Sequence, residues 1–168
     1  MRISPGQDER SRIDGLLSAL YTMDKQVRAG AAADLAAIGS AAVDPLVATL
    51  RDPRWEVRYR AAEALGQIQD PRVCAALAGA LEDPRDHVRY MAAKGLGLRR
   101  CPGSVAGLCQ ALGDENEYVR RIAAVSLAAI GDAGAIPLLQ DRLSRESSPA
   151  VRDAIVRACC SLEEYPRT

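Results

Sequence analysis

The dipeptide Val-Arg recurs at 27–28, 57–58, 88–89, 119–120 and 151–152, at spacings of 30, 31, 31 and 32 residues. Two leucine series keep step with it: Leu16, Leu46, Leu77, Leu108 and Leu139, then Leu20, Leu50, Leu81, Leu112 and Leu143. Three series in register describe one unit used five times. A unit of this size cannot enclose a core of its own, so the copies must stack and share one.

Each unit divides into two helices. Asp52-Pro53 precedes "RWEVRYRAAEALGQI" and Asp70-Pro71 precedes "RVCAALAGALED", and Asp at an N-cap with Pro at the first helical position is a helix start signal. In the longer helix Val57, Ala61, Ala62, Leu65 and Ile68 form a stripe at helical period. Ala-Ala returns at 31–32, 61–62, 92–93 and 123–124, small enough for neighbouring helices to approach closely. Thirty alanines and no phenylalanine favour helix over strand. The expected fold is all-α: a right-handed superhelical solenoid of about five antiparallel pairs in one domain, 1–168, with short caps at both ends. The copies lie near 9–38, 41–68, 71–98, 102–130 and 133–162. Shorter helices are expected at 9–21, 41–51, 71–82, 102–113 and 133–145, and longer ones at 24–38, 54–68, 85–98, 116–130 and 148–162.

The stretches "DPRWEVRYRAAEALG" and "DPRDHVRYMAAKGLG" resemble HEAT repeats, in the alanine-rich form named after phycobilisome lyases. The resemblance covers residues 12 to 162. It implies that the shorter helices lie on the convex side and the Val-Arg helices line the concave side. It also implies that Arg28, Arg58, Arg89, Arg120 and Arg152 join acids such as Asp52, Asp83 and Asp114 in a ladder between copies, a role suited to bidentate guanidinium pairing. Such arrays serve many systems, so the fold leaves the function open.

Function is sought where the copies differ and face outward. Taking 100° per residue, the face opposite the stripe holds Glu56, Tyr59, Arg60, Glu63 and Gln67 in the second copy. In the third it holds His87, Tyr90, Met91, Lys94 and Leu98, and in the fourth Tyr118, Arg121, Ile122, Val125 and Ala129. The fifth adds Arg157 beside Asp153, and the first is bland. Tyr, Met and Arg are enriched at protein interfaces. The expected site is therefore a groove binding a protein or peptide, formed by Tyr59, Arg60, Glu63, His87, Tyr90, Met91, Lys94, Tyr118, Arg121, Ile122 and Arg157. Four basic and three acidic residues on this face disfavour nucleic acid.

Asp86-His87 raises the question of a catalytic pair. His87 is the chain's one histidine and occupies a variable position of the repeat, with no nucleophile nearby. Adjacent residues on a helix are not expected to face one another. The reading is a contact residue, and the chain is expected to be no enzyme and to need no cofactor or metal. Resemblance to bilin lyases implies the alternative of a chromophore-handling subunit, with tyrosines stacking on a tetrapyrrole. Deoxyhypusine hydroxylase carries similar repeats with His-Glu metal ligands, a dipeptide absent from this chain.

The third copy ends in "GLRRCPGS", with Arg100 where two other copies have Gly39 and Gly131. Cys101 takes the N-cap place of Asp70 and Asp132. It reads as a small loop residue, with a reactive thiol as the alternative. Cys74 aligns with core positions. Five cysteines without a CxxC pair, and no apolar leader, suggest a reducing cytoplasm. No run of about 18 apolar residues suggests a membrane span. Ile155-Val156 replaces Ala-Ala in the last copy, either closing the end of the stack or offering an apolar face for self-association.

Overall fold

The computed structural model describes residues 5–164. Its elements, in order, are α1 (Pro5–Ala19), α2 (Lys25–Ile38), α3 (Val43–Thr49), α4 (Trp55–Leu65), α5 (Arg72–Gly79), α6 (Asp86–Arg99), α7 (Val105–Ala111), α8 (Glu117–Ile130), α9 (Ile136–Arg145) and α10 (Pro149–Glu164). Short 3-10 turns lead into α3, α7 and α9 and follow α5. Among the described residues there is no strand. The all-α superhelix of stacked pairs expected from the repeat is what the chain forms.

The two layers differ in how closely they pack. Along one, α2, α4, α6, α8 and α10 each lie against the next, whereas of α3, α5, α7 and α9 only α3 and α5 pack to any extent. The layer of longer helices is thus the tighter, concave one. All eight alanines of the Ala-Ala pairs are buried, with Leu35, Leu65, Leu96 and Leu127 beside them. The shorter helices close the core with Leu46, Leu77, Leu108 and Leu139, all fully buried. Burying each such leucine contributes roughly 2 kcal/mol. In the last copy Ile155 is buried but Val156 is 44% exposed, since among the described residues no helix follows α10 to cover it.

Three expectations need correction. Asp52 does not cap the longer helix. Its carboxylate accepts from the Arg54 amide, and α4 starts only at Trp55 with Arg54 as N-cap. The cap position is two residues later, where Asp24 accepts from the Gln26 and Val27 amides and Asn116 from that of Tyr118.

Cys101 is not a free thiol. It is 1% exposed and forms a disulfide with Cys74 of α5, with Cα atoms 5.7 Å apart. The bridge joins the middle of one short helix to the turn leading into the next, and removes the cysteine argument for a reducing compartment.

The third correction concerns apolarity. Lys25–Thr49 is long and apolar enough to cross a membrane by length and composition alone. The chain breaks there at Gly39, whose φ of 81° ends α2. Ala31, Ala32, Leu35, Val43 and Leu46 of this stretch are buried in the shared core.

The third copy solves its helix end differently. Gly39 and Gly131 have φ of 81° and 86°, and Arg100 takes the left-handed conformation in their stead, at φ 51° and ψ 49°. A residue with a Cβ is strained there.

The arginine ladder is present and follows one rule. Arg58 donates to the Asp52 and Pro53 carbonyls of its own copy and forks onto the Asp83 carboxylate of the next, at 2.6 and 2.8 Å. Arg89 repeats this with the Asp83 carbonyl and the Asp114 carboxylate. Arg120 does so with the Asp114 carbonyl and the Glu146 carboxylate. Each acid in turn accepts from the amide two residues on. Arg28 and Arg152 depart from the rule: Arg28 donates to the Thr22 and Met23 carbonyls and Arg152 to those of Leu143 and Glu146, neither to a carboxylate among the described residues, while Asp52 accepts from the Tyr21 hydroxyl.

Candidate binding groove

The concave helices carry most of the expected residues to one face. Tyr59 of α4, Tyr90 of α6 and Tyr118 of α8 line a single cavity of about 330 Å³, together with His87. Asp86, Asn116 and Val119 complete it. Offset +2 of the repeat places Tyr59 and Tyr90 at the same height on adjacent helices, while Tyr118 approaches from the first turn of its own helix. Tyr59 and Tyr90 are half-buried against the core, whereas Tyr118 is 57% exposed.

Tyr90 also lines a second, larger hollow of about 610 Å³ between α8 and α10. Its floor is Ile122, Val125, Ala154 and Ala158, and Arg121 and Arg157 stand at its sides. Glu63 and Lys94 lie elsewhere on the face, around a third hollow between α4 and α6 that Leu98 also borders.

Two expected groove residues are placed differently. Met91 is 6% exposed and packs into the core, showing only an edge to the hollow between α4 and α6. Arg60 is 8% exposed. Its guanidinium lies over the Tyr59 ring, 5.2 Å from the centroid, and pairs with Glu63 on the next turn. It is thereby engaged within its own copy instead of being a free contact.

The Asp86–His87 pair also differs from expectation. His87 Nδ1 lies 2.7 Å from Asp86 Oδ1, which also accepts from the His87 amide. Adjacent side chains meet here because Asp86 is the first residue of α6, where its carboxylate can fold back over free amides. The hydrogen bond from His87 holds the Asp86 carboxyl below its ordinary range, and Asn116 Nδ2 donates to its second oxygen. The His87 ring tilts against Trp55, with centroids 5.1 Å apart, and Arg85 covers the same indole at 5.1 Å.

These contacts build the rim of the groove. Asp86 to Asn116 and Glu117 to Ser148 are equivalent bonds between successive copies, each joining the second residue before the valine to the third before the next. Sequence reading missed Asp86, Asn116 and Trp55 as site residues, since they sit in the variable turn that leads into each helix. Their recurrence one repeat apart was the available signal.

Electrostatically the groove is uneven. Arg121 stacks on Tyr118 at 5.6 Å and, like Lys94, has no ion-pair partner among the described residues. Arg157 is matched by Asp153 at 3.0 Å. Burial, then the nearby Glu63 carboxylate, raises the Tyr59 phenol above its ordinary range, so it stays a neutral donor.

Comparison with known proteins agrees with this architecture. The family model for HEAT repeats matches residues 13–89 and 79–160. No curated protein matches the chain. The complex of CpcE and CpcF of phycocyanin lyase from Nostoc sp. PCC7120 is similar with a TM-score of 0.80 and 24% identity, over 89% of this chain and 98% of the matched one. A designed armadillo repeat protein in complex with the peptide (KR)4 is similar with a TM-score of 0.61 and 20% identity, over 92% and 83%. A structure of Kap95p with RanGDP reaches a TM-score of 0.70 at 17% identity, where all but 1% of this chain matches 26% of the other. At these identities the likeness is one of fold. With residues 13–160 covered by two successive matches to one repeat family, the chain belongs to the family of HEAT repeats.

Proposed function

We propose that the chain is a non-enzymatic interaction module that holds an extended segment of a protein partner along the groove of α4, α6, α8 and α10. One observation carries this reading. Tyr90 borders both the tyrosine cavity and the apolar trough, so the two form one continuous channel across four repeats. Val125, about half exposed, offers apolar contact along it, in keeping with the aromatic and aliphatic anchors of binding surfaces. The fold is shared with an armadillo design whose structure holds a peptide, which supports a groove of this kind as a peptide seat.

The test is selection of binders from a random peptide library against the whole chain. Selected peptides are expected to lose at least tenfold in affinity against a Tyr90→Ala, Val125→Glu variant with unchanged circular dichroism. They should bind an Ala75→Glu variant, altered on exposed α5, as they bind the native chain. Equal loss on Ala75→Glu, or no loss on the groove variant, would refute the assignment.

A second reading has its own support: the fold likeness to a phycocyanin lyase complex and a tyrosine-walled cavity next to Arg121. It makes the chain a bilin-handling subunit. Titration with a free bilin would then shift the pigment's absorbance, and an unchanged spectrum at high protein concentration excludes it.

A further inference from the structure

The three groove tyrosines are not equivalent. The rings of Tyr59 and Tyr118 each already carry a guanidinium, Arg60 at 5.2 Å and Arg121 at 5.6 Å from the centroids. Tyr90, between them, carries no cation among the described residues. It is also the ring shared by the cavity and the trough. The face of a phenol ring is electron-rich and attracts ammonium and guanidinium groups, more strongly when water is displaced.

The cavity supplies a counter-charge as well. Asp86 lies in its wall, and its neighbours are His87 and Asn116 instead of an arginine or lysine. Arginines match Asp83 (Arg58), Asp114 (Arg89), Glu146 (Arg120) and Glu63 (Arg60), whereas Glu117, like Asp86, has no arginine or lysine partner among the described residues. Of these two, Asp86 faces the cavity. A volume of about 330 Å³ accommodates one long side chain with its head group.

We infer that the groove anchors its partner by one lysine or arginine side chain, seated on Tyr90 between Tyr59 and Tyr118 with Asp86 as its counter-ion. This rests on the groove reading above and names the chemistry of the partner. The apolar trough beyond Tyr90 then takes the aliphatic residue that follows. Arg121 opposes the anchor: it stacks on Tyr118 of the same cavity without a carboxylate partner among the described residues, and its charge weakens attraction for a second cation.

N-acetyl-arginine amide is the probe, with N-acetyl-citrulline amide and N-acetyl-glutamate amide as neutral and acidic controls. Binding is read by chemical-shift changes in the whole chain and by emission of Trp55, the one tryptophan, which touches His87 at the cavity rim. The arginine probe is expected to shift Asp86, His87 and Tyr90 resonances in the millimolar range, and citrulline at least tenfold more weakly. Asp86→Asn and Tyr90→Leu should each weaken the arginine probe at least tenfold, while Tyr90→Phe keeps the ring and the binding. Arg121→Gln should leave the affinity unchanged or raise it.

Preference for the glutamate probe, with loss on Arg121→Gln, would overturn the inference in favour of an acidic partner. Library peptides that bind the groove without basic residues would also overturn it and leave the groove reading intact. Failure of any peptide to use the groove defeats the groove reading itself.

Discussion

At the scale of single residues, the arginine ladder shows how a repeat spends its charges. Arg58, Arg89 and Arg120 each tie their own turn to the carboxylate of the next copy, so a side chain at one fixed place stitches two units. Glu146 is the most heavily engaged acid. Its side chain is fully buried, takes two hydrogen bonds from Arg120 and two from Arg142, and accepts from the Ser148 amide. Hydrogen bonding from Arg120 leads the causes that hold its carboxyl at about 2, against an ordinary 4.5. A depressed value means that the stabilisation is complete above about pH 4.5 and is lost as pH falls toward 2. Glu146→Ala leaves Arg120 buried without its counter-charge and is expected to cost about 3–5 kcal/mol at pH 7 by urea unfolding. The gap to the native chain should narrow between pH 4.5 and 2. A gap that stays constant over that range would show that packing, not ionisation, causes it. The place of this acid, six residues before Arg152, was legible from the other copies. It escaped notice because it is a glutamate in a unit one residue longer.

At the scale of elements, the sequence shows which helices exist but not how closely they meet. Ala-Ala announced close approach, and the tightest contacts lie one turn beyond it. A Cβ on Gly66 would come within 2.9 Å of the Gly95 Cα, and one on Gly97 within 2.8 Å of the Ser126 Cα. The Ser126 hydroxyl, buried there, donates to the Ala93 carbonyl and closes the seam between α6 and α8. Gly97→Ala therefore forces these two backbones apart and is expected to cost about 1–3 kcal/mol, measured by chemical denaturation. An equally stable Gly97→Ala chain would mean that the seam is slack. The same limit explains Met91 and Arg60: a helical wheel marks the side opposite the core, but contacts with neighbouring side chains decide what remains exposed. It explains Cys101 too, whose pairing with Cys74 of the preceding short helix depends on a distance between two elements that spacing does not encode.

Across the whole molecule, stability is shared between neighbours. Helices α6 and α8 are flanked on both sides and joined by the glycine seam, whereas α2 lacks the carboxylate of the ladder and α10 ends the stack. In such an array opening begins at the ends. Amide hydrogen exchange is expected to be fastest in α1 and α10 and slowest in α6 and α8, with Leu139→Ala speeding exchange in α8–α10 well before α2–α4. Uniform acceleration over the whole chain would show instead that it unfolds as one cooperative unit. The groove depends on this stacking, since its tyrosines come from three successive copies and meet only when the copies are held in register by the ladder.

Periodicity alone determined the helix pairs, their number, their order and the buried stripe, because a 31-residue repeat of small and apolar residues has one economical way to exclude water. It also marked the face on which Tyr59, Tyr90 and Tyr118 converge. Only the tertiary structure decided which side chains on that face stay free, that Asp86 rests on His87 and Asn116, and that two cysteines meet. Those outcomes turn on distances of a few ångströms between helices far apart in the chain, and such distances follow from packing, which no single unit of the repeat contains.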